Sequence, residues 1–156
     1  MDPEKIEEIF FEAMQQGFVA DFKGKPTRNM PSGKQIASRF GDWKVTDLWI
    51  TNPTSRKSAG MTTIFYKRTP VWSMSYEGWY EVGALLLLKP ALRKAYGKSE
   101  FYGCRAEDFY STATGVRYSN IFSGNFSSFF GQERMVHRME PETALGKHTY
   151  RGGLLI

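Results

Sequence analysis

The chain has 156 residues, of which 41% are hydrophobic, 15% aromatic and 24% charged, with a formal net charge of +5 and a pI near 9.3. This length suits a single domain, residues 1–156, with a substantial core. The one cysteine, Cys104, excludes an internal disulfide and a cysteine zinc cage. No apolar run nears the roughly 20 residues a bilayer span needs, so no membrane partner is expected. The first ten residues carry acids where a secretory signal would be positive. A soluble, cytoplasmic protein is expected.

Asp2-Pro3-Glu4 is a helix start: a capping aspartate, proline at the first helical position, then acid at the positive end of the dipole. Ile6, Ile9, Phe10, Ala13 and Met14 recur at helical spacing, and Gly17 suits a C-terminal cap. The apolar stripe is expected to pack on a sheet, with a dimer face as the alternative. Between Phe18 and Gly33 a loop with at most a short strand is expected. Lys23, Lys25, Arg28, Lys34, Arg39 and Lys44 make this the most basic stretch. It reads as a solvated surface, or as a phosphate-contacting arm.

Gln35 to Phe40 is a candidate strand, followed by a turn at Gly41-Asp42. Trp43 to Thr51 alternates, placing Trp43, Val45, Asp47, Trp49 and Thr51 on one face. Met61 to Tyr66 and Val71 to Tyr76 flank Lys67-Arg68-Thr69-Pro70 and form an expected hairpin. With Tyr66 opposite Val71, the residues Met61, Thr63 and Phe65 would share a core face with Trp72, Met74 and Tyr76. Glu81 to Tyr96 reads as the main core helix, kinked or restarted at Pro90. Phe101 to Tyr110 mixes aromatics with Gly103, Cys104 and Arg105. The expected order is then a strand from Gly115 to Phe122, a loop from Gly124 to Gly131 and a strand from Gln132 to Met139. A turn at Glu140 to Thr143 and a strand from Leu145 to Arg151 follow. The apolar ending Leu154-Leu155-Ile156 is expected to dock on the body.

The second half echoes the first. Gly60-Met-Thr-Thr-Ile-Phe-Tyr corresponds to Gly131-Gln-Glu-Arg-Met-Val-His, and Ser73-Met-Ser-Tyr-Glu-Gly to Lys147-His-Thr-Tyr-Arg-Gly. Two similar β-meanders, residues 41–79 and 115–153, would produce this pattern. The expected fold is therefore α+β: a curved, mainly antiparallel sheet of about six strands, with an N-terminal and a central helix packed on it.

Gly41-Asp42-Trp43, the run from Pro70 to Gly78, Phe130-Gly131-Gln132-Glu133 and the ending from Tyr150 to Leu155 carry a resemblance. From about Phe10 onward the chain resembles a bacterial and archaeal domain-of-unknown-function family numbered 5680. The resemblance implies small standalone proteins or domains fused behind helix-turn-helix regulators. It implies no established activity, catalytic residue or cofactor. Where the family pattern tends to Gly-Gly-Arg-Gly, this chain has Gly103-Cys104-Arg105-Ala106, so Arg105 matches.

Zinc-protease, phosphate-loop, dinucleotide and nucleophile-elbow motifs are absent from the sequence, and no catalytic residue, metal ligand or cofactor is expected. The echo puts His137 and His148 on opposite faces, which argues against a shared metal, and His148 reads as a hydrogen-bonded buried imidazole. Cys104 reads as an inert packed thiol. Arg105, flanked by Tyr102 and Phe109, can hold a carboxylate or phosphate while aromatics cover the ligand. The alternative is a structural salt bridge to Glu107 or a strand-end carbonyl. The leading expectation is a non-enzymatic ligand-binding or sensor-like domain for a small anionic ligand. Its candidate site is Arg105, Tyr102, Trp72, Tyr76, His148 and Tyr150. Other readings are an interaction module or homodimer, a single-stranded nucleic-acid binder and an enzyme; the net charge of +5 permits a polyanionic partner but does not by itself single one out, and a nucleic-acid partner is not expected.

Overall fold

The computed structural model describes residues 1–17, 24–27 and 30–156, so Lys23 and Arg28 of the basic stretch lie outside the described residues. Helix α1 spans Pro3–Gln16. The Asp2 carboxylate accepts from the Glu4 amide at 3.0 Å, and the Gly17 amide donates to the Ala13 carbonyl at its end. Its stripe is buried in the chain through Ile6, Ile9, Phe10, Phe11, Ala13 and Met14, so that face is not available to a second copy.

Nine strands follow, all antiparallel: β1 Lys25–Pro26, β2 Gly33–Phe40, β3 Trp43–Thr51, β4 Lys57–Tyr66, β5 Thr69–Tyr80, β6 Phe109–Ser111, β7 Val116–Asn125, β8 Ser128–His137 and β9 Glu140–Leu154. They form one open sheet in the order β1-β2-β3-β4-β5-β9-β8-β7-β6. Helix α2, Val82–Gly97, joins β5 to the far half and runs unbroken through Pro90, rather than restarting there. Among the described residues the fold is α+β with two helices, but the sheet has nine strands rather than about six. The two very short strands, β1 and β6, lack the length that gives a sequence period, and they form the sheet's edges.

The hairpin register differs from the expected one. Tyr66 pairs with Thr69, and Lys67 and Arg68 form a two-residue turn with φ of 46° and 72°. A bulge then leaves Val71 as an extra residue, and Ile64 pairs with Trp72. Gly60, Thr62 and Ile64, not Met61, Thr63 and Phe65, therefore share the core face with Trp72, Met74 and Tyr76. A one-residue slip inverts every side chain of a strand. Similarly, residues 128–131 belong to β8 rather than a loop, and β9 already begins at Glu140. At the end, the Leu155 amide donates to the Val71 carbonyl at 2.9 Å, but the side chains of Leu155 and Ile156 remain exposed.

The core lies between the sheet's inner face and the two helices. Trp72 stacks on Phe126 with centroids 5.0 Å apart and meets Phe10 at 5.3 Å. Strands β5 and β9 pair in the middle, with Tyr76 opposite Tyr150. Each tyrosine lies across a glycine of the next strand, Gly60 under Tyr76 and Gly131 under Tyr150, where any Cβ would collide with the ring.

Candidate functional site

The inner face is not wholly apolar. Asp47 on β3, Thr62 on β4, Glu133 on β8 and His148 on β9 are its buried polar residues. Alternation along each strand points all four toward the helices, and the core that surrounds them requires each to find a partner.

Glu133 is the best satisfied. Its carboxylate accepts from the Tyr80 and Tyr118 hydroxyls and, in a fork, from Nε (2.9 Å) and Nη2 of Arg105. Burial pushes this carboxyl up, but the Arg105 charge and the surrounding donors outweigh it and hold it at about 2. The Arg105 side chain is only 11% exposed. Its salt bridge is to Glu133 rather than to Glu107 or a strand-end carbonyl.

Asp47 Oδ1 accepts from the Thr62 hydroxyl at 2.9 Å and the Tyr76 hydroxyl at 2.8 Å. Burial raises its carboxyl above the usual range against those two bonds. Across the β5–β9 seam the Tyr150 hydroxyl donates to Asn120 Oδ1 on β7. One half thus holds an amide where the other holds an acid. His148 sits between the two groups. Its Nε2 lies 3.3 Å from the Ser58 hydroxyl and its Nδ1 3.5 Å from Glu133 Oε1, too far for a good bond. Burial lowers its pKa, so the ring is neutral at pH 7.

A cleft of about 520 Å³ opens between this face and α2. Met14, Ile36, Trp49, Leu85 and Leu88 supply apolar wall; Asp47, Thr62, Tyr76, Ser58, His148 and Arg105 supply polar wall; Lys34 and Lys89 add cations. Of the residues singled out in the sequence, Arg105, Tyr76 and His148 meet here. The other three lie elsewhere. Trp72 is buried in the core and donates from Nε1 to the Phe126 carbonyl. The Tyr102 hydroxyl donates to Glu100, and Tyr150 faces Asn120. Cys104 is fully buried, and burial pushes its thiol well up, away from nucleophilic use. Asp47, Ser58, Tyr80 and Glu133 escaped the sequence reading. Asp47 shared an alternating face with Val45, and Glu133 stood in the echo at the place of Thr62; those were the available signals.

The sequence model of the family described as Domain of unknown function (DUF5680) matches residues 54–155, more than half of the chain. The chain belongs to this family. Comparison with curated proteins and with solved structures gives no match. The DUF5680 span contains Ser58, Thr62, Tyr76, Tyr80, Arg105, Tyr118, Glu133 and His148, whereas Asp47, Lys34 and α1 lie upstream of it. Among the described residues no helix is long and apolar enough to cross a membrane, and no three His, Cys, Asp or Glu side chains cluster to hold a metal ion.

Proposed function

We propose that the cleft under α2 binds a small molecule and that the protein is a non-enzymatic ligand-binding or sensor-like domain. The observation that carries this reading is a cavity of about 520 Å³ with a largely apolar wall and a few converging polar groups. The ligand has an apolar body, a donor that meets Asp47, and an anionic end drawn to Lys34 and Lys89. Arg105 contributes positive potential from the wall, while its fork is held by Glu133.

Native mass spectrometry of gently purified protein, followed by thermal-shift screening of small amphipathic acids, tests it. The expected result is a discrete added mass or a ligand-dependent rise in Tm. Asp47→Asn should weaken that binding at least tenfold, because it removes the anionic acceptor. No adduct and no stabilising compound in the screen would sink the reading.

A second reading rests on the order Ser58, His148, Glu133, which is that of a nucleophile, a base and an orienting acid. Apo geometries of this kind are often loose. Adding a fluorophosphonate to the same sample decides it: a covalent adduct mapped to Ser58 supports acyl transfer, and an unmodified Ser58 eliminates it.

A further inference from the structure

Both helices pack on the inner face, and among the described residues no element covers the other face of the sheet. Met61, Ser75, Arg151 and Phe130 form one row across β4, β5, β9 and β8, and all four are exposed. Charge on this face is one-sided. Arg134, Lys147 and Arg151 point outward from the centre, and Arg39, Lys44, Lys57 and Arg117 from the flanks. Among the described residues Glu77 is the one acid that the regular ladders turn outward; Glu140 and Glu142 lie in the bulged, exposed start of β9. Net charge summed along the chain is weak evidence for a polyanionic partner; the register gathers cations from six strands onto one surface.

The aromatics on this face are not scattered at random among those charges. Phe65 is directly opposite Lys44, Trp79 opposite Lys147, Phe130 opposite Arg151 and Tyr110 opposite Arg117. The Lys44 amine lies over the Phe65 ring, 5.7 Å from its centroid. Phe130 is 65% exposed and Tyr110 45%, so these rings have faces free to stack. Arg151 and Lys147 are four residues apart on β9, about 13 Å at strand rise.

We propose that the outer face of the sheet binds single-stranded nucleic acid through these four cross-strand aromatic–cation pairs. Each ring offers a stacking platform to a base, and the cation beside it meets the neighbouring phosphate. Duplex buries its bases and cannot use the rings. A second copy of the chain would bring the same cations face to face, so charge selects a polyanion over a dimer. The site is separate from the cleft and does not depend on its ligand.

Fluorescence anisotropy with short labelled oligonucleotides of mixed sequence, as RNA, as DNA and as duplex DNA, tests this across a salt series. Either single strand should bind at low salt, with log K falling with log salt at a slope of about −3 for four phosphate contacts. The tighter of the two identifies the sugar. Duplex should bind at least about tenfold more weakly. Phe130→Ala should cost about tenfold with the slope unchanged. Arg151→Ala should flatten the slope by about 0.7. Both residues are exposed, so thermal melting should show intact folds. Asp47→Asn, in the cleft, should leave oligonucleotide binding unchanged. No binding at low salt, duplex bound as tightly as single strand, or Phe130→Ala without effect would overturn the proposal. So would anionic phosphatidylserine vesicles competing as well as oligonucleotide does.

Discussion

Glu133 is a charge placed where water cannot reach it, and four donors from β5, β7 and the Arg105 segment make that tolerable. Removing one partner leaves the rest stranded. Arg105→Ala should therefore lower stability by about 3–5 kcal/mol, seen as a shift in urea midpoint, and not act as a silent ligand-site variant. The pH dependence has a definite sign. The folded carboxyl sits at about 2 against an ordinary value of 4.5, so its contribution is complete above pH 4.5 and lost as pH falls toward 2. Urea midpoints measured across that window should fall for the wild type and fall less for Glu133→Gln. Asp47 is the opposite case. Its raised pKa means that ionisation costs folding free energy at neutral pH. The molecule already shows the cheaper alternative in Asn120, which accepts from Tyr150 as Asp47 does from Tyr76. An acid kept at a net cost is consistent with a role in binding.

The hairpin between β4 and β5 shows what the sequence made readable and what it did not. The two helices, the caps of α1, the longer strands and the correspondence of Gly60 with Gly131 were visible in residue type and spacing, whereas β1, β6 and the first residues of β8 and β9 were not. The face that β4 turns inward was not, because it depends on a turn shortened by two residues and a bulge at Val71. The site followed the same rule. Arg105, Tyr76 and His148 stood out by chemistry, but Arg105 lies in the segment before β6 and its partner lay 28 residues away on β8. Lys67 and Arg68 hold positive φ values that suit Asn-Gly far better. Replacing the pair by Asn-Gly relieves left-handed strain of about 1–2 kcal/mol per residue, against the loss of the Lys67 contact over Tyr66. The expected net gain is about 1 kcal/mol, a rise in Tm of about 2–4 °C by calorimetry.

Across the whole molecule the sheet is strongest in the middle and weakest at its rims. The central strands β5 and β9 have 12 and 15 residues and neighbours on both sides; the edge strands β1 and β6 have 2 and 3. Short edges limit pairing with other chains. Hydrogen exchange should show slowest amides at Met74 to Gly78 and His148 to Gly152, and fastest ones in β1 and β6. Equal protection from rim to centre would contradict this architecture.

The place of β9 also bears on how the protein is made. It is the last strand of this sheet in chain order, yet it lies inside the sheet, between β5 and β8. Without it, β5 and β8 are each paired on one side only and present one long unpaired edge at the end of each meander. The seam closes only over large sequence separation, which slows folding and prolongs the exposure of those strands. Those two edges therefore stay open until β9, residues Glu140–Leu154, docks between them.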